Sequence, residues 1–549
     1  MLSQIRARKK HVEDLLFLLV VLLASFGLMF YNIRLPGMFQ DEAFDIDNTM
    51  QLVIFGELRS PTRKPLYLFG KAYPVMMHET MGPIYAYSII PFYYVFGVGV
   101  VAARMMPITF GLATIVLTFQ LGKTLFSRKV AYISTALLSI FPSFIQWTRI
   151  GIFGTTVLTF LTMGTLVFLF EWMKTKRPLF LLLTALFVGL GFSSKANYYW
   201  FVVNLVILYL IWRPRLRLTL SQVAFSILTF LAAAFPFVLY NCLIDPLATP
   251  RFALANLTTS MYGTSNVEFL GNLLKRMGQF VSLLEGSTFF GATGGHTLNP
   301  FYSVVFIAMA IGLALTFFGR TVDRARRKRE MAICLLLVLL FLEGTYTTSG
   351  LGIHHLIIFM PFPQMIIAEA LDVLPFHRLA SLIRIPIKPR RGGLPKVVLV
   401  LVSILIVADL TVNIGYHQSL QRTGGVGLFS DAIYDLSDYF TDLNVSRPIA
   451  VDWGFSQLGV LTKGKVYPTE IFGYPDWSGS TDMSIFRKTA EDCLRNPDNV
   501  YLFHTPRFTN FDRFSLFQET ATHMNRTLIL LRTFSQRDGI PVILVYKAA

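Results

Sequence analysis

The stretch LLFLLVVLLASFGLMFY at residues 15–31, followed after seven residues by FQDEAFDID at residues 39–47, decides the fold. Seventeen apolar residues reach the lower limit for crossing a bilayer core, which needs about 20 residues. Arg6, Arg8, Lys9 and Lys10 precede the segment, and no small-residue cleavage site follows it. It therefore reads as a retained anchor rather than a removable signal. The adjacent carboxylates Asp41 and Glu42 stand a few residues beyond its exit. Charges so close to a membrane are costly unless they face water, a partner or a substrate. The pair therefore marks a candidate active site opening on the outer face.

Composition agrees with a membrane chain. Of 549 residues, 54% are hydrophobic and 15% are charged, against about 25% charged in soluble proteins. Ten further apolar segments follow the first: Val101–Leu121, Val130–Trp147, Ile152–Phe170, Leu179–Ser193, Asn197–Trp212, Leu220–Tyr240, Tyr302–Phe318, Met331–Tyr346, Leu356–Leu374 and Val397–Val412. The expectation is a polytopic α-helical protein of about 11 spans. With the N-terminus inside, the basic loops at 123–129, 174–177, 213–217, 320–329 and 378–396 all fall on one side. That is the positive-inside bias, and it accounts for the net charge of +17 without nucleic acid. The apolar run Ile84–Val98 is short and broken by Pro91, and as a span it would invert every later loop. It is expected to lie in the interface.

The expected organisation is a membrane domain over 1–415 and a small extracytoplasmic α/β domain over 416–549. Outer loops at 32–100 and 241–300 belong to the membrane domain. In the C-terminal part, Asn499–His504, Thr527–Phe534 and Pro541–Tyr546 read as strands, with Asp538-Gly539 as a turn. Ser430-Asp431 starts a helix running to Leu443. Cys242, Cys334 and Cys493 have neither metal nor disulfide spacing.

The first outer loop also holds Asp45, Asp47, Lys71, His78 and Glu79, with Arg104 just beyond it. Sugar transfer from a lipid-linked phosphate needs a carboxylate to take the acceptor proton and a cation to hold the departing phosphate. Asp41 and Glu42 are the catalytic candidates; Asp45 and Asp47 read as solvated loop charges. His78, Glu79, Arg104, Arg149, Lys195, His354 and His355 are the candidates for donor phosphate or substrate binding. Arg149, Lys195 and the His354-His355 pair each alone read more readily as structural helix-end residues, and His78 alone is evenly balanced between surface and site. Their shared side is what joins Arg149, Lys195 and the two histidines to the carboxylates. The His354-His355 pair permits a divalent cation, but no acidic partner is tied to it by spacing.

The pattern resembles the GT-C superfamily of membrane glycosyltransferases, in the branch of protein O-mannosyltransferases and aminoarabinose transferases. Asp41-Glu42 matches the acidic pair after the first helix in that branch. His78-Glu-Thr-Met-Gly-Pro83-Ile-Tyr-Ala-Tyr87 resembles its loop leading into an aromatic helix, and Val101-Ala-Ala-Arg104 its next helix start. Leu121–Arg128 and Phe141–Arg149 resemble its following turn and helix exit. The resemblance implies a polyprenyl-phosphate-sugar donor, inversion at the anomeric carbon, Asp41 as base and Glu42 in support. It implies a protein, lipid or glycan acceptor and a bacterial inner membrane. The lysine often found before the proline is absent, so His78, Arg149 and Lys195 compete for the phosphate. Two other readings are a transporter or flippase, and a polysaccharide polymerase. A transporter would tend to show mid-span charges in paired repeats; Glu343 and Glu369 lie near helix ends and neither half echoes the other.

Overall fold

A computed structural model describes residues 2–59, 63–213, 216, 218–257, 260–261, 264–265, 268–318, 323–346, 352–375, 396–473 and 482–549. Among these, five helices are long and apolar enough to cross a membrane, and up to eight spans result if each bent pair counts as one. The protein is an integral membrane protein. The first helix, Leu2–Phe30, leaves Leu15, Leu16, Leu19, Val20 and Leu23 exposed along its length. A continuous exposed apolar face of this length marks a surface covered by lipid or by another protein.

Every segment read as a span is helical, but three are not single rods. Val130–Trp147 is two helices, Arg128–Ser139 and Pro142–Ile150, bent by 59°. Pro142 supplies no backbone N–H to continue the first helix. Leu220–Ala233 with Phe235–Ile244 bends by 71° at Pro236, and Ile353–Phe359 with Phe362–Val373 by 40° at Pro361. Pro178–Phe192 and Asn197–Trp212 are short, and Arg324–Thr345 begins with several basic residues. Ile84–Val98 forms two short helices, Ile84–Ser88 and Ile90–Phe96, below spanning length. Of the basic loop residues, 214–215, 217, 320–322 and 376–395 lie outside the described residues.

The segments 32–100 and 241–300 contain further helices. Residues 40–55 form a helix that buries Ala43, Ile46 and Met50, apolar positions at helical spacing. Gly56, at φ 69°, ends it in the left-handed conformation. The second loop contains the helices Ala248–Leu257 and Phe269–Glu285.

The C-terminal part is built on a five-stranded sheet in the order Thr469–Glu470, Ile449–Ala450, Val500–His504, Pro541–Ala548, Leu528–Ser535. The first three strands are parallel and the last two pair antiparallel. Period-two alternation splits the central strand between two cores. Val500 and Leu502 face the helix Ala432–Asp442, and Tyr501 and Phe503 face Met483–Leu494 and Phe514–His523. The three strands and the helix read from the sequence match to within two residues. The strands Ile449–Ala450 and Thr469–Glu470 are two residues each, too short for a periodic signal.

This sheet unit rests on the helix that carries Asp41. The Ser456 amide donates to Gln40 at 3.4 Å, and the Tyr467 hydroxyl to Asp47 at 3.2 Å. Phe39 stacks on Phe429 at 4.2 Å and meets the edge of Trp453 at 5.5 Å.

Candidate active site

Glu42 and Arg104 form the best-defined contact of the site. The guanidinium donates from Nε to Oε1 at 2.9 Å and from Nη2 to Oε2 at 3.0 Å. Arg104 also donates to the Ile33 carbonyl at 2.7 Å and the Gly37 carbonyl at 3.3 Å. Arg149 reaches the same turn: its Nη2 lies 2.9, 2.7 and 2.8 Å from the carbonyls of Tyr31, Asn32 and Leu35. Its Nη1 stands 3.5 Å from His417 Nδ1. Both arginines are fully buried. The structure therefore places Arg104 and Arg149, expected among the phosphate contacts, against backbone and Glu42. They pin the chain between the first helix and Gln40.

Asp41 occupies the first turn of the helix Gln40–Phe55 and stays half-exposed while Glu42 beside it is buried. Desolvation by its surroundings raises the Asp41 carboxyl to about 7, and the Lys195 ammonium opposes that rise. A carboxylate tuned near neutral pH suits proton transfer. Asp45, one helical turn on, is fully buried. Its charge acts on Lys195, as does that of Asp41. Asp45 had read as a solvated loop charge; as the i+4 partner of Asp41 on one helix face, it is part of the site. Asp47 is not solvated either: Gln51 donates to it at 2.7 Å and Tyr467 at 3.2 Å.

Lys195 comes to these carboxylates through backbone pairing. Met81 bridges to both His78 and Lys195. The Gly82 amide donates to Ser194 O at 2.9 Å, and the Ala196 amide to Thr80 O at 2.8 Å. Gly82 permits the approach, since a Cβ there would stand 2.1 Å from Ser193 O. The Lys195 ammonium, itself buried, lies 3.3 Å from His355 Nδ1. His354 packs on His355 at 4.1 Å between ring centres and on Trp147 at 5.6 Å. Burial lowers the lysine, while Asp45 and Asp41 favour its charged form.

His78 and Glu79 sit on the other side of the bridge. Arg63 pairs with Glu79 at 2.9 Å and His78 Nε2 lies 3.4 Å from it. Burial lowers the His78 imidazole despite Glu79. Although burial alone would raise Glu79, the Arg63 hydrogen bond holds it below its ordinary range. Among the described residues, no group of three or more His, Cys, Asp or Glu side chains is arranged to hold a metal.

The sequence reading missed Asp45 and Arg63. A helical reading of 40–55 would have found Asp45; Arg63 carries no local signal.

This geometry belongs to a known class of membrane fold. The chain superposes on ArnT from Cupriavidus metallidurans bound to undecaprenyl phosphate with a TM-score of 0.60 at 13% identity, over 97% of each chain. The apo form of that protein gives 0.61 at 14% identity, over 98% of each chain. The apo Archaeoglobus fulgidus oligosaccharyltransferase gives 0.51 at 13% identity, over 89% of this chain and 69% of that one. Residues 80–240 match the family model described as dolichyl-phosphate-mannose-protein mannosyltransferase. No curated protein matches the chain in sequence. The chain has the fold of these membrane glycosyltransferases, the GT-C fold that the resemblance read from its first 149 residues implied.

Proposed function

We propose that this protein moves a hexose or pentose from a polyprenyl-phosphate donor to a hydroxyl on a protein, lipid or glycan. The observation that carries the reading is the backbone stitching of 78–82 to 193–196, which holds Lys195 where the charges of Asp41 and Asp45 act on it. The match of residues 80–240 to a dolichyl-phosphate-mannose-dependent family supports the donor class. The fold shared with a protein captured with undecaprenyl phosphate supports it too.

In this mechanism Asp41 takes the proton from the acceptor hydroxyl as its oxygen attacks the anomeric carbon. The bond from that carbon to the phosphate oxygen breaks on the opposite face, so the centre inverts. The electron pair leaves on the polyprenyl phosphate. Lys195 stabilises the developing phosphate charge, with His355 orienting its ammonium. Glu42, locked by Arg104, fixes the turn that presents Asp41. His78, Glu79 and His354 flank the lysine as its polar surroundings. The site faces outward from a bacterial inner membrane, with the N-terminus cytoplasmic and the sheet unit extracytoplasmic. Neither the family match nor the shared fold favours a transporter or flippase.

The test is transfer of labelled sugar from a polyprenyl-phosphate donor by purified protein in lipid. Release of polyprenyl phosphate with an inverted product supports the reading. Donor transport across the bilayer without sugar release overturns it.

A further inference from the structure

The last long helix, Lys396–Thr423, carries a carboxylate that sugar transfer does not use. Asp409 is fully buried and lies about 20 Å along the helix from Lys396. The sequence reading, which weighed only Glu343 and Glu369 as charges within spans, overlooked it. An ionisable residue buried in a membrane segment is costly to keep without a partner and usually serves one.

Its surroundings are polar oxygens left short of partners. Asp409 Oδ1 accepts from Asn299 Nδ2 at 2.8 Å. Among the described residues, Asp409 Oδ2, Asn299 Oδ1 and Gln146 Oε1 have no hydrogen-bond partner, and the Tyr302 hydroxyl and the Gln364 amide have none but each other. These five side chains are no more than 1% exposed. Tyr302 lies beside Gln364 and within reach of the Asp409 charge. Asn413, one turn beyond Asp409, donates to the Ile140 carbonyl at 2.8 Å and accepts from Gln146 at 3.3 Å. Among the described residues, no Lys, Arg or His forms an ion pair with Asp409.

The backbone converges there as well. Ile140 stands at the 59° break between two helices, Gln364 follows the 40° break at Pro361, and Asn299 immediately precedes the helix Pro300–Phe318. Broken helix ends inside membrane proteins supply the carbonyls and dipoles that coordinate alkali cations.

We propose that Asp409 Oδ2, with oxygens from Asn299, Gln364 and Tyr302, binds one monovalent alkali cation, sodium in the first instance. Hard oxygen donors without sulfur or imidazole suit such an ion. One carboxylate balances one positive charge, whereas a divalent ion would leave net charge in an apolar interior. The occupied site would tie the two helix breaks to the start of the helix Pro300–Phe318. Two turns on, His417 of the same helix faces Arg149, which holds the turn leading to Asp41.

The experiment is thermal unfolding and radiolabelled-sodium binding on the full-length protein in detergent, in sodium, potassium or choline chloride at fixed ionic strength. The expected result is one sodium bound per chain and a melting temperature that rises saturably with sodium over choline. Asp409→Asn removes both effects. If Asp409→Asn does not fold, Gln364→Leu carries the test, with an expected loss of at least tenfold in sodium affinity. No bound sodium and equal melting in all three salts overturns the proposal, leaving a protonated carboxyl with buried water. Sodium binding unchanged in Gln364→Leu overturns it too. Neither result bears on sugar transfer, which is measured separately.

Discussion

Arg104 holds Glu42 in a two-pronged ion pair, at 2.9 and 3.0 Å, with both side chains almost entirely buried. The pair joins the start of one membrane helix to the first turn of the helix bearing Asp41. Removing one partner strands the other charge in an apolar setting, at about 3–5 kcal/mol. Arg104→Met is therefore expected to unfold far earlier in denaturant titrations. Arg104→Met with Glu42→Met regains most of the stability, since a packed apolar pair can replace a buried ion pair. It does not regain sugar transfer, because the carbonyls of Ile33 and Gly37 lose their donor.

Asp41 gives a pH prediction of defined sign. Its folded-state carboxyl titrates near 7, above the ordinary 3.8. Between those values the folded protein keeps a proton that the unfolded chain has lost. Stability therefore falls as pH rises from about 4 to 7, and the loss is complete above 7. Asp41→Asn removes this cost. It is expected to melt higher than the parent at pH 8 and to show little difference at pH 4. Transfer by the parent follows the ionised base and rises with pH through about 7. Melting curves and initial rates across pH 4–9 check both halves.

Gly82 tests the stitching. A methyl group there would meet the Ser193 carbonyl at 2.1 Å and force apart the bridge that carries Lys195. Gly82→Ala is expected to cost about 1–3 kcal/mol, as overpacking does. It is also expected to lower the transfer rate by more than the loss of folded protein explains. Active-site titration against total folded protein separates the two effects.

Phe39 tests the seat of the sheet unit on the Asp41 helix. It stacks on Phe429 with an interplanar angle of 6° and touches Trp453. Stacked aromatic pairs contribute about 0.5–1.5 kcal/mol beyond their buried area. Phe39→Ala is expected to raise amide exchange in residues 449–456 by about tenfold. Exchange mapped by mass spectrometry reads this directly, and unchanged protection there contradicts the seat.

The membrane helices were legible in the sequence because each needs a long apolar run. The bends were less so, although Pro142, Pro236 and Pro361 mark all three breaks. The helix Gln40–Phe55 was hidden because polar residues, Gln40, Asp41, Glu42, Asp45, Asp47 and Asn48, outnumber the buried apolar positions Ala43, Ile46 and Met50 in its first turns. Reading it as a loop also hid Asp45. The contacts of Arg149 Nη2 and half of those of Arg104 go to backbone carbonyls, which have no sequence signature, and the Glu42–Arg104 pair spans 62 positions. Lys195 reaches the carboxylates through pairing across more than 110 positions, a distance no local pattern spans.

The measurement that bears most directly on the account is single-turnover transfer of labelled sugar from a polyprenyl-phosphate donor by Asp41→Asn, with donor binding measured in parallel. The account predicts donor binding within a few-fold of the parent and transfer slowed by at least a hundredfold, the range of a lost general base. Transfer at the parental rate with binding intact would contradict it.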